Sequence, residues 1–209
     1  MKKILVVVDM QNDFITGPLG TPEAVSIVDK VVEKIRGEEW DYIYYTLDTH
    51  DEKYLETQEG KKLSVEHCIY KKNGWMLHGK VWEAIFNHHY CNQEGLLKST
   101  FGSIDLPGAI EFLMSCDDFE DVPIQDIELT LVGVCTDICV ISNALLLKAH
   151  YPEMKIVVDA SCCAGSNFFK HVEALDVMKS CQIDIINDPI AEMAEKMIDA
   201  EIARFEAAK

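Results

Sequence analysis

Nowhere does this sequence string together the ~20 consecutive apolar residues that would cross a bilayer. The N-terminal stretch MKKILVVVDMQND has two lysines and an apolar run, but Asp9 ends that run too early for the hydrophobic region of a secretory signal. Basic residues are scarce: 19 Lys and Arg stand against 36 Asp and Glu, for a formal net charge of −17. A chain so acidic repels phosphate backbones and anionic lipid surfaces, so neither nucleic acid nor a membrane is expected as a partner. Internal repeats, linkers and low-complexity tracts are missing. The cysteines (Cys68, Cys91, Cys116, Cys135, Cys139, Cys162, Cys163 and Cys181) show no CxxC…CxxC zinc spacing. These absences point to a cytoplasmic protein with reduced thiols, most of them small buried hydrophobes. The 209 residues suit one domain, spanning 1–209.

What is present alternates. Short β-branched runs, KILVVVD (3–9), DYIYYTLDTH (41–50), GLLKST (95–100), IELTLVGV (127–134), KIVVDA (155–160) and IDII (183–186), read as strands. Between and after them lie helical patterns at 24–36, 81–86, 108–116, 137–150, 168–180 and 189–207. Alternation of this kind predicts an α/β fold: a three-layer α/β/α, doubly wound, mostly parallel sheet. The continuous Val/Ile runs fit strands covered on both faces. In such sheets ligands bind at the carboxyl ends of the strands, where strand order reverses. With the order 3-2-1-4-5-6, Asp9 at the end of the first strand faces the turn that follows the fourth.

That turn lies in VGVCTDICVISNALLL (132–147), where Cys135 and Cys139 stand four apart. Cys139 falls in the first turn of the expected helix 137–150, with Thr136 or Asp137 as N-cap. Amide dipoles there favour a thiolate and predict a lowered thiol pKa. The alternative is a core thiol. Asp9 is a candidate general base or simply a turn former. Lys98 is a candidate cation beside a thiolate, or a lysine whose stem lies along apolar surface.

Three motifs, LVVVDMQNDF (5–14), LLKSTFGS (96–103) and LVGVCTDICV (131–140), resemble those of the isochorismatase-like cysteine hydrolases, and within them the nicotinamidase-related amidases. The resemblance spans essentially the whole chain. It implies a triad of Cys139 as nucleophile, Asp9 as proton acceptor and Lys98 as thiolate-stabilising cation. It also implies a cis peptide between Val134 and Cys135, aiming the amides of Cys135 and Cys139 at the substrate oxygen. The implied reaction is hydrolysis of a small carboxamide through a thioester, nicotinamide to nicotinate and ammonia foremost. A ureido or carbamoyl compound, or another small amide, is the alternative. Isochorismatases proper lack the nucleophilic cysteine, so Cys139 favours the amidase branch. The family's habit suggests a homo-oligomer.

The loop 46–70 supplies Asp48, His50, Glu56, Glu59, Glu66 and His67, oxygen and nitrogen donors that suit zinc, iron or manganese. In nicotinamidases a similar Asp-X-His…His set holds a divalent metal that binds the pyridine nitrogen. Asp48, His50 and His67 match it, with Glu59 as candidate fourth ligand and zinc as the first choice of metal. Typical nicotinamidases have proline and aromatic residues around the second metal histidine, and the flank of His67 here, LSVEHCIYKKNGW, departs from that pattern. Phe14 and Phe101, and less so Trp75, are candidates for stacking on a flat ring, or are core. His78, His88, His89, His150 and His171 have no motif partner and read as structural or surface. Two readings from other classes stand beside the amidase: a thiol redox protein using Cys135 and Cys139, and a binding module without catalysis.

Overall fold

A computed structural model describes residues 1–88, 92–116 and 118–190. Six strands form one sheet: β1 (Lys2–Val8), β2 (Tyr42–Asp48), β3 (Asn92–Lys98), β4 (Ile127–Val134), β5 (Lys155–Ala164) and β6 (Asp184–Ile186). Every pairing is parallel, and the order is β3-β2-β1-β4-β5-β6. The helices are α1 (Asn12–Ile15), α2 (Pro22–Gly37), α3 (Gln58–Lys62), α4 (Gly79–Phe86), α5 (Leu106–Met114), α6 (Ile141–His150) and α7 (Phe168–Ser180). Among the described residues no helix is long and apolar enough to cross a membrane.

The central strand shows why the layers form. Along β1, Ile4, Val6 and Val8 enter one hydrophobic core while Leu5 and Val7 enter the other, all fully buried. The period-2 pleat sends alternate side chains to opposite faces, so an unbroken apolar run demands cover on both. Each such side chain contributes about 1.5–3 kcal/mol on burial. The first core receives Leu106, Ile110 and Leu113 of α5, Ala144 and Leu147 of α6, and Leu175 and Met178 of α7. The second receives the stripe Ala24, Ile27, Val28, Val31 and Ile35 of α2 and Val81, Ala84 and Ile85 of α4. Thr21 caps α2 by accepting the Ala24 N–H at 3.0 Å, and Pro22 opens the helix, where its missing N–H costs nothing.

Several boundaries differ from the sequence expectation. Strand β3 begins at Asn92, earlier than Gly95, because a strand at the sheet edge tolerates the exposed Asn92 and Glu94. Strand β5 runs on to Ala164 past a register shift against β4. The expected helix 137–150 is two pieces: a π-turn at Thr136–Val140, then α6. Cys135 stands at the N-cap position with no side-chain cap, so neither Thr136 nor Asp137 plays that part. The expected helix at 189–207 lies, beyond residue 190, outside the described residues, as do His89 and Cys91.

Candidate active site

The carboxyl ends of β1, β2, β3 and β4 converge on one buried cluster. Asp9 follows β1 directly, is fully buried, and has φ +48°, a left-handed conformation uncommon for a non-glycine residue. Cys68, beside His67, has φ +47°. Such backbone strain gathers where a site is over-determined by its surroundings.

Lys98 ends β3, two strands from β1. Adjacent strands are about 4.8 Å apart, so an extended lysine stem crosses the end of β2 to reach β1. Its Nζ lies 2.7 Å from Asp9 Oδ2, 3.4 Å from Asp48 Oδ1 and 3.7 Å from Cys139 Sγ. Asp9 Oδ1 accepts a 2.7 Å hydrogen bond from Thr46 Oγ1, and the Lys98 ammonium lies between its carboxylate and the Cys139 sulfur, in reach of both. Lys98 and Cys139 are each 5% exposed. The sequence-derived residues Asp9, Lys98 and Cys139 are therefore one contact group, and the Val134–Cys135 peptide beside them is cis.

The electrostatics differ from expectation at the thiol. Burial, then the Asp9 charge, raise the Cys139 pKa well above that of an ordinary thiol, with Lys98 opposing. The amide dipoles predicted to lower it are outweighed by desolvation. Burial also raises Asp9, against the pull of Lys98. For Lys98, burial works against the charge, but Asp9, Cys139 and Asp48 together hold it protonated. The resting thiol is thus neutral and lies beside a firmly charged lysine. The side chain of Cys135 is pushed up to about 12, chiefly by burial, and it is no second ready nucleophile.

Two contacts from a distance fix the nucleophile turn. Thr136 Oγ1 meets His171 Nδ1 of α7 at 2.8 Å, and Asp137 accepts from Ser166 N and Oγ at 2.7 Å each. His171, which had no motif partner, is buried here.

Beside the triad, Asp48, His50 and His67 form the group of possible metal ligands among the described residues, their donor atoms within 4.8 Å of one another. Asp48 Oδ2 is 3.0 Å from His50 Nε2 and 3.4 Å from His67 Nε2. Glu59 Oε1 lies 3.9 Å from each of those nitrogens, on the more open side. His67 Nδ1 is 2.8 Å from the Val65 carbonyl, a bond that makes Nδ1 a donor and aims Nε2 at Asp48. Two imidazole nitrogens, a buried carboxylate and a second carboxylate at the opening fit a borderline divalent cation. Burial opposes the Asp48 charge, yet the His50 and His67 hydrogen bonds keep its pKa far below the usual carboxylate range.

Gln11 was not singled out by sequence, yet it brackets Asp48. Its Oε1 accepts the Asp48 N–H and its Nε2 donates to the Asp48 and Trp75 carbonyls, all at 2.8 Å. Asp13 likewise accepts the Cys68 N–H at 2.8 Å, next to His67. The outward signal was the polar run Gln11–Asp13 between Met10 and Phe14 at the end of the first motif. Phe14 is buried with its ring 5.5 Å from that of His67, whereas Phe101 is half exposed. Above the cluster opens a cavity of about 940 Å³, lined by His50, Tyr54, Glu59, Leu63, Phe101 and Ile138 among others.

A six-stranded parallel sheet with a thiol, an acid, a lysine and an Asp-His-His set at its switch point defines a hydrolase of the isochorismatase type. The isochorismatase domain model matches residues 3–188, and the chain belongs to that family. The uncharacterized isochorismatase family protein PncA of Bacillus subtilis (strain 168) is 30% identical over 184 residues, covering 84% of this chain and 93% of its own. The crystal structure of nicotinamidase/pyrazinamidase PncA from Bacillus subtilis superposes with a TM-score of 0.71 at 26% identity, covering 88% of this chain and 99% of that one. In fold alone the chain is also similar to a pyrazinamidase of Pyrococcus horikoshii in complex with zinc, with TM-score 0.65, 24% identity and coverage of 90% and 100%. The N-carbamoylsarcosine amidase of Thermoplasma acidophilum gives 0.62, 21%, and 88% and 95%.

Proposed function

We propose that the protein is a cysteine amidase that hydrolyses a small carboxamide, nicotinamide foremost, to the carboxylate and ammonia. The observation that carries this reading is the contact between Asp9, Lys98 and Cys139, each from a different strand end, with Lys98 Nζ 2.7 Å from the acid and 3.7 Å from the sulfur.

The roles follow from the charges. Asp9 takes the thiol proton as Cys139 Sγ attacks the carbonyl carbon. Lys98 stays protonated and stabilises the thiolate. The amides of Cys135 and Cys139 face the oxyanion that develops. Asp9, now protonated, gives its proton to the leaving nitrogen, ammonia departs, and a thioester remains. Asp9 then draws a proton from water, whose oxygen attacks the thioester, and the sulfur leaves to be reprotonated. Asp48, His50, His67 and Glu59 would hold the divalent ion, zinc or alternatively iron or manganese, which when bound supplies a Lewis acid to anchor and polarise the substrate. Phe101 flanks the cavity as the ring-stacking wall, and Phe14 braces His67 from behind.

A second reading, a ureido or carbamoyl substrate, is favoured by the cavity. At about 940 Å³ it sits at the upper end of ligand sites, which span roughly 300–1,000 Å³. A single pyridine ring does not require that room. The remaining proposals are a single domain over residues 1–209, a cytoplasmic setting, assembly into a homo-oligomer, and neither nucleic acid nor a membrane as partner, in keeping with the net charge of −17.

The test is ammonia release from nicotinamide and a panel of ureido and aliphatic amides. Cys139→Ala should abolish turnover, a loss on the order of 10³-fold or more, while Cys135→Ala should stay within about tenfold of the parent, since only its backbone amide is used. Equal losses in both, with a reversible bond between the two sulfurs, would instead support the redox reading.

A further inference from the structure

Asn143 is fully buried, yet it belongs neither to the triad nor to the donor set. It sits one turn after Cys139, near the start of α6. Its Nδ2 donates to the Cys139 carbonyl at 2.8 Å and, more weakly, to the Phe101 carbonyl at 3.4 Å. Its Oδ1 accepts the Ser103 N–H at 2.9 Å. One amide thus bonds the backbone of the nucleophile and two points on the loop that begins at Lys98 and carries Phe101. The loop lies flat against α6 at this point: a Cβ on Gly102 would sit 3.2 Å from the Ser142 carbonyl oxygen, so glycine lets the two backbones approach.

From this arrangement we infer that Asn143 is a positioning residue, setting the distance between the Cys139 sulfur and the loop of Lys98 and Phe101. It touches no reacting atom. The Cys139 carbonyl lies where the π-turn at Thr136–Val140 passes into α6. The Asn143 amide gives that carbonyl a side-chain donor and uses its own oxygen to secure the neighbouring loop. The consequence is specificity as well as rate, because Phe101 lines the substrate cavity. The size of acyl group accepted beside Cys139 is set partly through Asn143.

The inference rests on the amidase reading, so its test needs a readout that does not depend on the substrate. Asn143→Val removes both functions. Asn143→Thr, of the same shape, restores a donor to the Cys139 carbonyl, because a helical threonine hydroxyl bonds the carbonyl four residues earlier. Turnover of nicotinamide, the rate of Cys139 alkylation by iodoacetamide, metal content and thermal melting would be measured on each. In Asn143→Val, kcat should fall about 10- to 100-fold, as expected for a misplacement near 1 Å. The alkylation rate should change with it, metal content should hold, and Asn143→Thr should lie between Val and the parent in both rates. Should the Val variant not fold, Asn143→Ser carries the same comparison. Parental kcat and alkylation rate in folded Asn143→Val would overturn the inference, as would losses that merely track the unfolded fraction. If the parent itself released no ammonia from any amide, the amidase reading would fail, while the alkylation series would still judge Asn143.

Discussion

Two lysine–aspartate pairs of this molecule have opposite fates. Lys98 and Asp9 meet at 2.7 Å in the crevice; Lys34 of α2 and Asp159 of β5 meet at 3.1 Å. Both aspartates are at most 2% exposed. Around Asp159 the carboxylate is saturated: Oδ1 accepts Ser161 N, Ser161 Oγ and Asn187 Nδ2 at 3.2, 2.7 and 3.0 Å, and Oδ2 takes Lys34. Burial alone would raise its pKa, but those donors lower it. Asp9 has Thr46 and the lysine, and it shares the lysine with Asp48, whose negative charge pushes it the other way. There burial wins. The same pair of residue types is therefore a fixed brace in one place and, in the proposed mechanism, a proton acceptor in the other, and the number of fixed donors separates the two.

The sharpest way to break this comparison is to neutralise each acid in turn. Asp9→Asn should lower kcat by about 10²- to 10⁴-fold, the usual worth of a positioned general base, while the protein stays folded. Asp159→Asn should leave kcat near the parent. Steady-state kinetics and thermal melting on both variants decide it; a comparable kcat loss in both would mean that the contrast in surroundings has no catalytic meaning.

The contrast also marks what could be read in advance. The strand runs, their order and the three motif ends were legible because a parallel sheet writes itself as unbroken apolar segments and presents its chemistry at their carboxyl ends. Asp9, Lys98, Asp48 and Cys139 each follow or end such a run, and the fold brings them together. The protonation of Cys139 was not legible, since a local rule about helix dipoles says nothing of how deeply the thiol will be buried. Thr136 and Asp137 have the residue types of caps, but their partners, His171 and Ser166, come from 35 and 29 residues further along. The π-turn was hidden because a stretch apolar on every side, such as 138–147, carries no period to distinguish it from regular helix. Buried amides such as Gln11 and Asn143 bond to backbone atoms, which have no sequence signature.

Gln11 tests the reactive side of the comparison at one remove. It holds Asp48 by both backbone groups, so Gln11→Leu should release that ligand's orientation without removing any donor. Binding of zinc, titrated against a chelating indicator, should weaken about 10- to 100-fold, the usual cost of losing an outer-shell partner. Unchanged affinity would show that the Asp48, His50 and His67 set is held by other contacts.

On the structural side the expected effect is smaller and appears in stability. Asp159→Asn leaves Lys34 with Glu38, 2.6 Å away, so the lysine is not stranded. What is lost is the charge that strengthens the Ser161 and Asn187 bonds, for a cost of about 1–3 kcal/mol at neutral pH. Denaturant unfolding at pH 7 measures it, and a variant as stable as the parent would remove Asp159 from the role of brace.

The finest test is the sign of the pH dependence, because the two acids are shifted in opposite directions. Asp159 has a folded pKa below the ordinary carboxylate value. Its contribution is complete above the unfolded value, about 3.9, and disappears as pH falls through the folded one. The stability gap between parent and Asp159→Asn should therefore close as pH drops below about 4. Asp9 has a folded pKa above 3.8. Its ionisation is disfavoured by folding, so between the unfolded and folded values the folded state gives up stability as pH rises, and below the unfolded value that penalty vanishes. Relative to Asp9→Asn, the parent should lose ground as pH increases from about 3 toward neutrality, while relative to Asp159→Asn it gains. The same shift puts the acid limb of kcat/KM above the ordinary carboxylate range, since Asp9 must be ionised to accept the thiol proton. Stability differences of the same sign for the two variants across that range would mean that the Asp9 carboxylate is as well satisfied as Asp159, and it would then be too weak a base for the part assigned to it.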